Sequence, residues 1–229
     1  MQEHVEYNPS YTLLTLVLGP GEQIKAEPGA MVAQSGVDIQ TGMSGGFFKG
    51  IMKSMVGGES FFVNTFTGEG AGGWVSLAPG APGDISGYDI APGRSLFVQG
   101  GAFLGCSINV ETNTKFQGMK GFFSGESAFF IQCSTQDGQP GRTWFTSFGA
   151  IKQIPIQAGQ KVIVDTGHVV AFEDTVQYTI NKVGGLKSAL LGGEGLVMEF
   201  TGQGSVWIQT RNVESLANKI IPFMPTRSN

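Results

Sequence analysis

The sequence predicts an all-β protein in which one sheet-forming unit is used three times. Charged residues make up only 14% of the 229 positions, whereas 36 positions are Gly, about twice the usual ~7%. This balance indicates tight turns and an extensive interior, and 17 Phe within a 41% hydrophobic fraction supply a core. Short β-branched and aromatic runs between glycine turns favour strands.

The internal repeat is clearest in three segments that each end in glutamate. Met52–Glu59 reads MKSMVGGE, Met119–Glu126 reads MKGFFSGE, and Leu186–Glu194 reads LKSALLGGE. The closing glutamates lie 67 and 68 positions apart, and so regular a period indicates one structural unit repeated along the chain.

We therefore predict a single domain, 1–229, whose three units pack around a pseudo-threefold axis, with each unit burying its apolar face against its neighbours. The predicted arrangement is similar to a double-stranded β-helix. The predicted units span about 11–80, 81–147 and 148–217, and the predicted C-terminal tail spans 218–229.

Each predicted unit begins with a turn, an apolar run and a closing glycine. Pro followed by Gly suits the centre of a type II turn, because Pro presets φ and Gly accepts a positive φ. The turns are Pro28-Gly29, Pro92-Gly93 and Ala158-Gly159, the runs begin at Met31, Leu96 and Val162, and the closing glycines are Gly36, Gly100 and Gly167.

We predict a short helical segment before each Gly-Gly-Glu corner, because an apolar segment precedes each glutamate and its spacing in the first unit is that of a helix. Burying its six large side chains would contribute, as an upper bound, roughly 9–18 kcal/mol. Such residues either plug the ends of the β body or form a surface for self-association or membrane docking. The candidate contact residues are Phe47, Phe48, Ile51, Met52, Met55, Val56, Met119, Phe122, Phe123, Leu186 and Leu190.

A β-hairpin is predicted after each glutamate, because β-branched and aromatic runs flank a glycine-rich loop. Trp74, Trp144 and Trp207, the three tryptophans of the chain, fall one on each return strand. We interpret them as core or inter-repeat packing rather than as ligand-stacking groups. The first strands are 61–67, 129–134 and 196–201, and the return strands are 74–77, 143–146 and 206–208.

The glutamates themselves admit two interpretations. Glu59, Glu126 and Glu194 could converge on the pseudo-threefold axis and bind a cation, since carboxylates are ligands for hard metal ions. Alternatively, each carboxylate caps backbone amides at the corner that follows the two glycines.

Recognisable catalytic chemistry is absent from the sequence, so we predict neither an enzyme nor a cofactor. The two histidines, His4 and His168, are far apart, and His168 is expected to be a hydrogen-bonded structural residue. HExxH, GxSxG and Walker A motifs are missing. Gly68–Gly73 matches GxGxxG, but the following residues predict a strand where a dinucleotide fold needs a helix. Cys106 and Cys133 are predicted to be free thiols, although a disulfide between them stays open.

Charge and patterning limit the partners and the compartment. The net charge is −4 and no basic run exists, so nucleic-acid binding is not expected. Met1–Glu6 has neither the pattern of a secretory signal nor that of a transit peptide, and no apolar run approaches 18 residues. We therefore expect a cytoplasmic protein.

The repeated Gly-Gly-Glu corners, the Pro-Gly turns and the length resemble the altered-inheritance-of-mitochondria protein family, over about residues 10–220. Met43–Thr67, Gly118–Ile131 and Gly184–Thr210 carry the resemblance most strongly. It implies a fold like the tryptophan RNA-binding attenuation protein, with a sheet unit repeated three times. It also implies homo-oligomers and a link to mitochondrial inner-membrane organisation in fungi. The resemblance brings no catalytic or ligand residues, and the acidic charge argues against RNA binding.

These observations predict a non-enzymatic assembly or scaffold protein that acts by homo-oligomerisation or by peripheral membrane contact. The alternative is a small-ligand or metal-binding protein with an axial site at Glu59, Glu126 and Glu194.

Overall fold

The computed structural model describes residues 1–43, 62–115, 129–135, 137–182 and 196–225. Antiparallel strands dominate these ranges, which contain one short α-helix, α1 at Val213–Ile220. The predicted all-β class is therefore confirmed. The helix was not predicted.

In the described ranges, one leading strand, β1 at Gln2–Glu6, precedes three sets of six strands. The first set is β2 Leu13–Leu18, β3 Gln23–Ala26, β4 Met31–Ser35, β5 Val37–Met43, β6 Phe62–Gly68 and β7 Gly73–Leu77. The second is β8 Ile85–Ile90, β9 Ser95–Gln99, β10 Phe103–Ser107, β11 Val110–Lys115, β12 Phe130–Thr135 and β13 Gly141–Thr146. The third is β14 Ile151–Ile156, β15 Val162–Asp165, β16 Val169–Glu173, β17 Val176–Lys182, β18 Leu196–Gly202 and β19 Gly204–Gln209. Short 3-10 turns lie at Gly100–Ala102, Thr166–His168 and Ile221–Phe223.

Strand pairing follows one rule within each set. The first and third strands pair with the sixth, and the second and fourth strands pair with the fifth. All of these pairs are antiparallel. Each set is therefore divided between two sheets rather than closed on itself.

The sets are joined because consecutive sets share a sheet. The second sheet has the order β5-β6-β3-β10-β13-β8, and the third has the order β11-β12-β9-β16-β19-β14. The pairs β3–β10 and β9–β16 are the junctions between sets. The first sheet, β1-β2-β7-β4, and the fourth, β15-β18-β17, contain strands of one set each, apart from β1.

Three hydrophobic clusters separate the four sheets. Leu16 and Ile24 belong to the cluster between the first and second sheets. Phe103 and Leu96 belong to the cluster between the second and third. Phe172, from the third sheet, packs in the last cluster with side chains of the fourth sheet. The second and third sheets therefore have a core layer on each face, because consecutive residues of a strand point to opposite faces.

The predicted tryptophan hairpins are wrong. In the first set, β6 lies in the second sheet and β7 in the first, so the Gly-rich loop between them crosses from one layer to the next. Gly72 permits this crossing, because it has a φ of 90° and a Cβ at that position would lie 2.5 Å from the carbonyl oxygen of Leu18. The same separation holds for β12 and β13 and for β18 and β19. Half-buried strands alternate in the same way whether or not they pair with each other, so the pattern did not distinguish the two cases.

The predicted alignment of the turns also needs correction in the first set. Gly93 and Gly159 have positive φ, as predicted, and precede the second strand of their sets. Their counterpart in the first set is Gly21, with a φ of 73°, because it precedes β3. Gly29 precedes β4, the third strand. Pro20-Gly21 and Pro28-Gly29 are identical dipeptides one strand apart, which is why spacing alone selected the wrong one.

The three tryptophans do not occupy one repeated position. Trp144 pairs with Gly105 and Trp207 with Ala171, and both indoles are buried. The residue at that position in the first set is Ser76, opposite Ala33. Trp74 lies two residues earlier, and more than a third of its surface is exposed. The predicted packing role is therefore correct for Trp144 and Trp207 and wrong for Trp74.

A partly buried ion pair attaches β1 to the second set. The Glu3 carboxylate accepts hydrogen bonds from Arg142 Nε at 2.6 Å, Arg142 Nη2 at 2.9 Å and Trp144 Nε1 at 2.9 Å. Arg142 Nη1 also donates to Asp89 Oδ1 at 2.8 Å. Burial pushes the pKa of Glu3 upward, but the hydrogen bonds from Arg142 and Trp144 and the charge of Arg142 outweigh it, so that pKa lies below its ordinary value.

We expect Glu3→Gln to lower the free energy of unfolding by roughly 1–2 kcal/mol at pH 7, because charge-assisted hydrogen bonds are lost. Since the native pKa is depressed, this contribution is present above the unfolded value of 4.5 and is lost as pH falls below it. Urea unfolding at pH 7 and pH 3.5 measures the effect. Glu6→Gln, on the exposed end of β1, is the matched control. An equal loss of stability in both variants would contradict a specific role for the Glu3–Arg142 ion pair.

Candidate functional site

All predicted contact residues, and the predicted helical segments before the glutamates, lie outside the described residues. They fall in 44–61, 116–128 and 183–195, as do the glutamates of the alternative axial site. The residues concerned are Phe47, Phe48, Ile51, Met52, Met55, Val56, Glu59, Met119, Phe122, Phe123, Glu126, Leu186, Leu190 and Glu194.

The structure does describe the strands that carry each of these segments. One pair of bonded strands flanks each segment. The residue pairs next to the three segments are Met43 with Phe62, Lys115 with Phe130, and Lys182 with Leu196. Each segment therefore connects the two antiparallel strands of a hairpin: β5–β6, β11–β12 and β17–β18.

The three hairpins share one position in the strand order. β5, β11 and β17 each form the end of a sheet, and β6, β12 and β18 are the strands next to them. The apolar segments thus emerge from outer hairpins rather than from connections between layers. The sequence repeat implied three related segments, but it could not show that each one extends an outer hairpin.

The helix α1 provides a further apolar surface that the sequence reading missed. Asn212 caps its N-terminus, with Oδ1 accepting the Ser215 N–H at 2.7 Å. The helix buries no residue, and Val213, Leu216 and Ile220 recur at helical spacing. The exposed apolar side chains of this segment are Val213, Leu216, Ile220, Ile221, Phe223 and Met224. A cap followed by that spacing was a usable signal, but the predicted boundary between the third unit and the tail, at 217/218, lies within α1.

The thiols of the chain are poor nucleophiles. Cys106 and Cys133 are free and fully buried, which confirms the predicted free thiols. Burial raises the pKa of Cys106 to about 12 and that of Cys133 well above its ordinary value. A thiolate is the reactive form, so neither cysteine is suited to nucleophilic chemistry near neutral pH.

The described ranges contain no candidate metal site, and His168 has a structural hydrogen bond. His168 Nδ1 donates to the carbonyl oxygen of Gln209 at 2.7 Å, the structural role that was predicted. No cluster of three or more His, Cys, Asp or Glu side chains in these ranges is arranged to hold a metal ion. Within the same part of the chain, none of the helices has the length and apolar character needed to cross a bilayer.

Comparison with known proteins identifies relatives that match almost end to end. An uncharacterised protein of Streptococcus pyogenes serotype M6 is 30% identical over 237 residues, covering 100% of this chain and 93% of the relative. The crystal structure of a Streptococcus pyogenes protein superposes with a TM-score of 0.78 at 26% identity, covering 97% of this chain and 99% of that one. A family model described as Mitochondrial biogenesis AIM24 matches residues 4–211. The chain therefore belongs to the Mitochondrial biogenesis AIM24 family.

Proposed function

We propose that this protein is a non-enzymatic assembly or scaffold protein that acts through apolar contact surfaces, by self-association or by contact with a membrane surface. The observation that carries the proposal is the position of the three apolar segments, each joining the strands of an outer hairpin. The described strands that flank these segments belong to outer hairpins, so a partner of the segments would meet the ends of sheets rather than the connections between layers. The proposed compartment is the cytoplasm.

We further propose that the three strand sets are units of a pseudo-threefold repeat, in an arrangement like that of the tryptophan RNA-binding attenuation protein, with the edge strands of the first and third sets left open within one chain. The shared pairing rule and the shared sheets support this arrangement. So does the core: Leu104 and Trp144 of the second set pack in the cluster of the first, and Trp207 of the third packs in the cluster of the second. Such an arrangement would relate the three apolar segments to one another.

The helix α1 supports the same function from a different part of the chain. Its unburied apolar face is the type of surface that marks protein or membrane contact when it is contiguous. Lys219 in its last turn adds a cation, but one cation attracts anionic lipid only weakly. We therefore propose that burial of apolar surface, more than charge, provides the affinity of α1 for a protein or membrane partner.

The test uses the full chain and a double variant, Phe47→Ser with Phe48→Ser. Burying one large apolar side chain contributes ~1.5–3 kcal/mol, so removing two should weaken self-association or vesicle binding more than tenfold. Light scattering measures the particle mass, and flotation with phosphatidylcholine vesicles, with and without phosphatidylglycerol, measures lipid binding. Ile108→Ser, at an exposed site in the turn between β10 and β11, is the control, because this turn precedes β11 whereas the apolar segment follows it. A wild-type chain that stays monomeric and ignores both vesicles would refute the proposal.

The alternative, a small-ligand or metal-binding protein, rests on the recurrence of one glutamate in each corresponding segment. Glu59, Glu126 and Glu194 would supply carboxylate oxygens to a hard cation. Elemental analysis of the purified protein, with a thermal-shift screen of divalent cations, distinguishes this function, because assembly through apolar surfaces predicts no bound metal and no shift.

A further inference from the structure

We propose that β4 of one copy pairs antiparallel with β15 of a second copy, so that the chain assembles head to tail through its two terminal sheets. The proposal rests on the self-association proposed above and names a surface for it. Its residues differ from those of the apolar segments and of α1.

The first argument comes from strand roles. At both junctions inside the chain, the second strand of one set pairs with the third strand of the next, as β3 with β10 and β9 with β16. Two strands of these roles are left over: β15, the second strand of the last set, and β4, the third strand of the first. Within the described ranges β4 pairs with β7 alone, and β15 pairs with β18 alone. Each presents a free edge where its counterparts have a partner.

Burial supplies the second argument. Val32 is 59% exposed, whereas its counterparts at the same bulge, Leu104 and Val170, are 0% and 1% exposed. All five residues of β4 are exposed, while four of the five in β10 and in β16 are buried. An apolar residue occupies this position in every set, but only the first set leaves it in solvent. Leu104 and Val170 are covered by the preceding strand set, and no preceding set in the chain covers Val32.

The edges themselves are suited to pairing. Exposed edge strands are usually protected by charge, proline or a bulge. β4 contains neither charge nor proline. Its bulge, against β7, has equivalents in β10 and β16. Both of those strands nevertheless pair through their other edge, with β3 and β9. β15 exposes Ile163 at 60%, and its Asp165 already accepts the Gly167 N–H at 2.8 Å. Other terminal strands carry charges within them: Asp38 in β5, Asp89 in β8, Glu111 in β11 and Lys152 in β14.

The known junctions predict the register. Ser107 is opposite Ile24, and Glu173 is opposite Leu96. Ile24, Leu96 and Val162 each lie three residues after the turn glycine of their sets, and Ser35 occupies the position of Ser107. The pairs between copies are therefore Ser35 with Val162, Gln34 with Ile163, and Ala33 with Val164.

A second copy is the better partner than the same chain. The complete exposure of β4 means that the chain's own β15 does not lie against it. The contact is heterologous, because it joins two different surfaces, and each added copy offers the same free edges again. Such contacts either close into a ring or continue as a filament.

The test combines particle mass with cross-linking in the full-length chain. We expect light scattering to show an assembly for the wild type and one chain for Val32→Lys and for Ile163→Lys, with unchanged circular dichroism. Ile108→Lys, at another exposed isoleucine, should leave the assembly intact. Mild oxidation of a mixture of Gln34→Cys and Ile163→Cys chains should give a disulfide-linked dimer, whereas either variant mixed with Ile108→Cys should not. The native thiols do not compete, because both are fully buried.

The outcomes separate this proposal from the proposed function. An assembly, or lipid binding, that is lost in Phe47→Ser/Phe48→Ser but kept in both lysine variants overturns the β4–β15 contact and leaves the proposed function standing. Dissociation by the lysine variants alone, without lipid binding, supports the contact and overturns the role of the apolar segments. A disulfide formed within one chain of the Gln34→Cys/Ile163→Cys double variant, or a monomeric wild type, overturns pairing between copies.

Discussion

Phe172→Ala is expected to lower the free energy of unfolding by about 3–5 kcal/mol. Phe172, in β16, is 1% exposed, and its loss would leave a cavity that the surrounding strands cannot close. Aromatic pairs contribute ~0.5–1.5 kcal/mol beyond the area they bury. The ring centroid of Phe172 lies 5.1 Å from Phe97, 5.0 Å from Phe130, 5.1 Å from Tyr178 and 5.5 Å from Phe200.

These neighbours make the substitution informative about the whole layer. Phe97 and Phe130 belong to the second strand set, whereas Tyr178 and Phe200 belong to the third, so one side chain connects the packing of both. Urea unfolding measures the loss. Phe172→Leu, which keeps an apolar side chain and most of the volume, should cost less than Phe172→Ala. Phe223→Ala, at a largely exposed ring, should change almost nothing. A loss below about 1 kcal/mol for Phe172→Ala would contradict a central packing role.

Local features of the fold could be predicted from the sequence because they depend on neighbouring residues. The glycines that follow proline at Gly29 and Gly93 do adopt positive φ, and Gly73–Leu77 is a strand rather than the helix of a dinucleotide fold. Partners distant in sequence could not be predicted in this way. β6 and β7 show the alternation of a hairpin, yet they belong to different layers, since period-2 patterning identifies a buried face but not the neighbouring strand.

The candidate surfaces likewise depend on contacts between residues distant in sequence. The sequence identified the apolar segments, but the pairing of Met43 with Phe62 was needed to place the first of them on an outer hairpin. Val32 and Leu104 are both apolar residues in similar strands, so nothing local distinguishes an open edge from a covered one. Only the order of strands across the sheets separates them, and that order depends on contacts between sets.

A partly buried carboxylate, Glu27, should make the protein less stable as pH rises from acid to neutral. It follows β3, and its backbone N–H donates to the carbonyl oxygen of Leu104 at 2.9 Å, at the junction of the first two strand sets. Burial raises the pKa of Glu27 from 4.5 to about 7. The native state therefore holds the proton more tightly than the unfolded state. The contribution of Glu27 to the free energy of unfolding is therefore most favourable below pH 4.5 and declines as pH rises from 4.5 to 7.

Glu27→Gln should consequently stabilise the protein at pH 8 and leave it nearly unchanged at pH 4. One pKa unit corresponds to ~1.4 kcal/mol, so the full penalty approaches about 3 kcal/mol, and partial exposure of the side chain reduces the expected gain to about 2 kcal/mol. Urea unfolding of both proteins at the two pH values measures the difference, which isolates Glu27 from the opposite contribution of Glu3. Glu69→Gln, in an exposed loop, is the control and should change stability little at either pH. An equal gain at pH 4 and pH 8 would mean that the amide acts through packing or hydrogen bonding, because only relief of a buried charge makes the gain depend on pH.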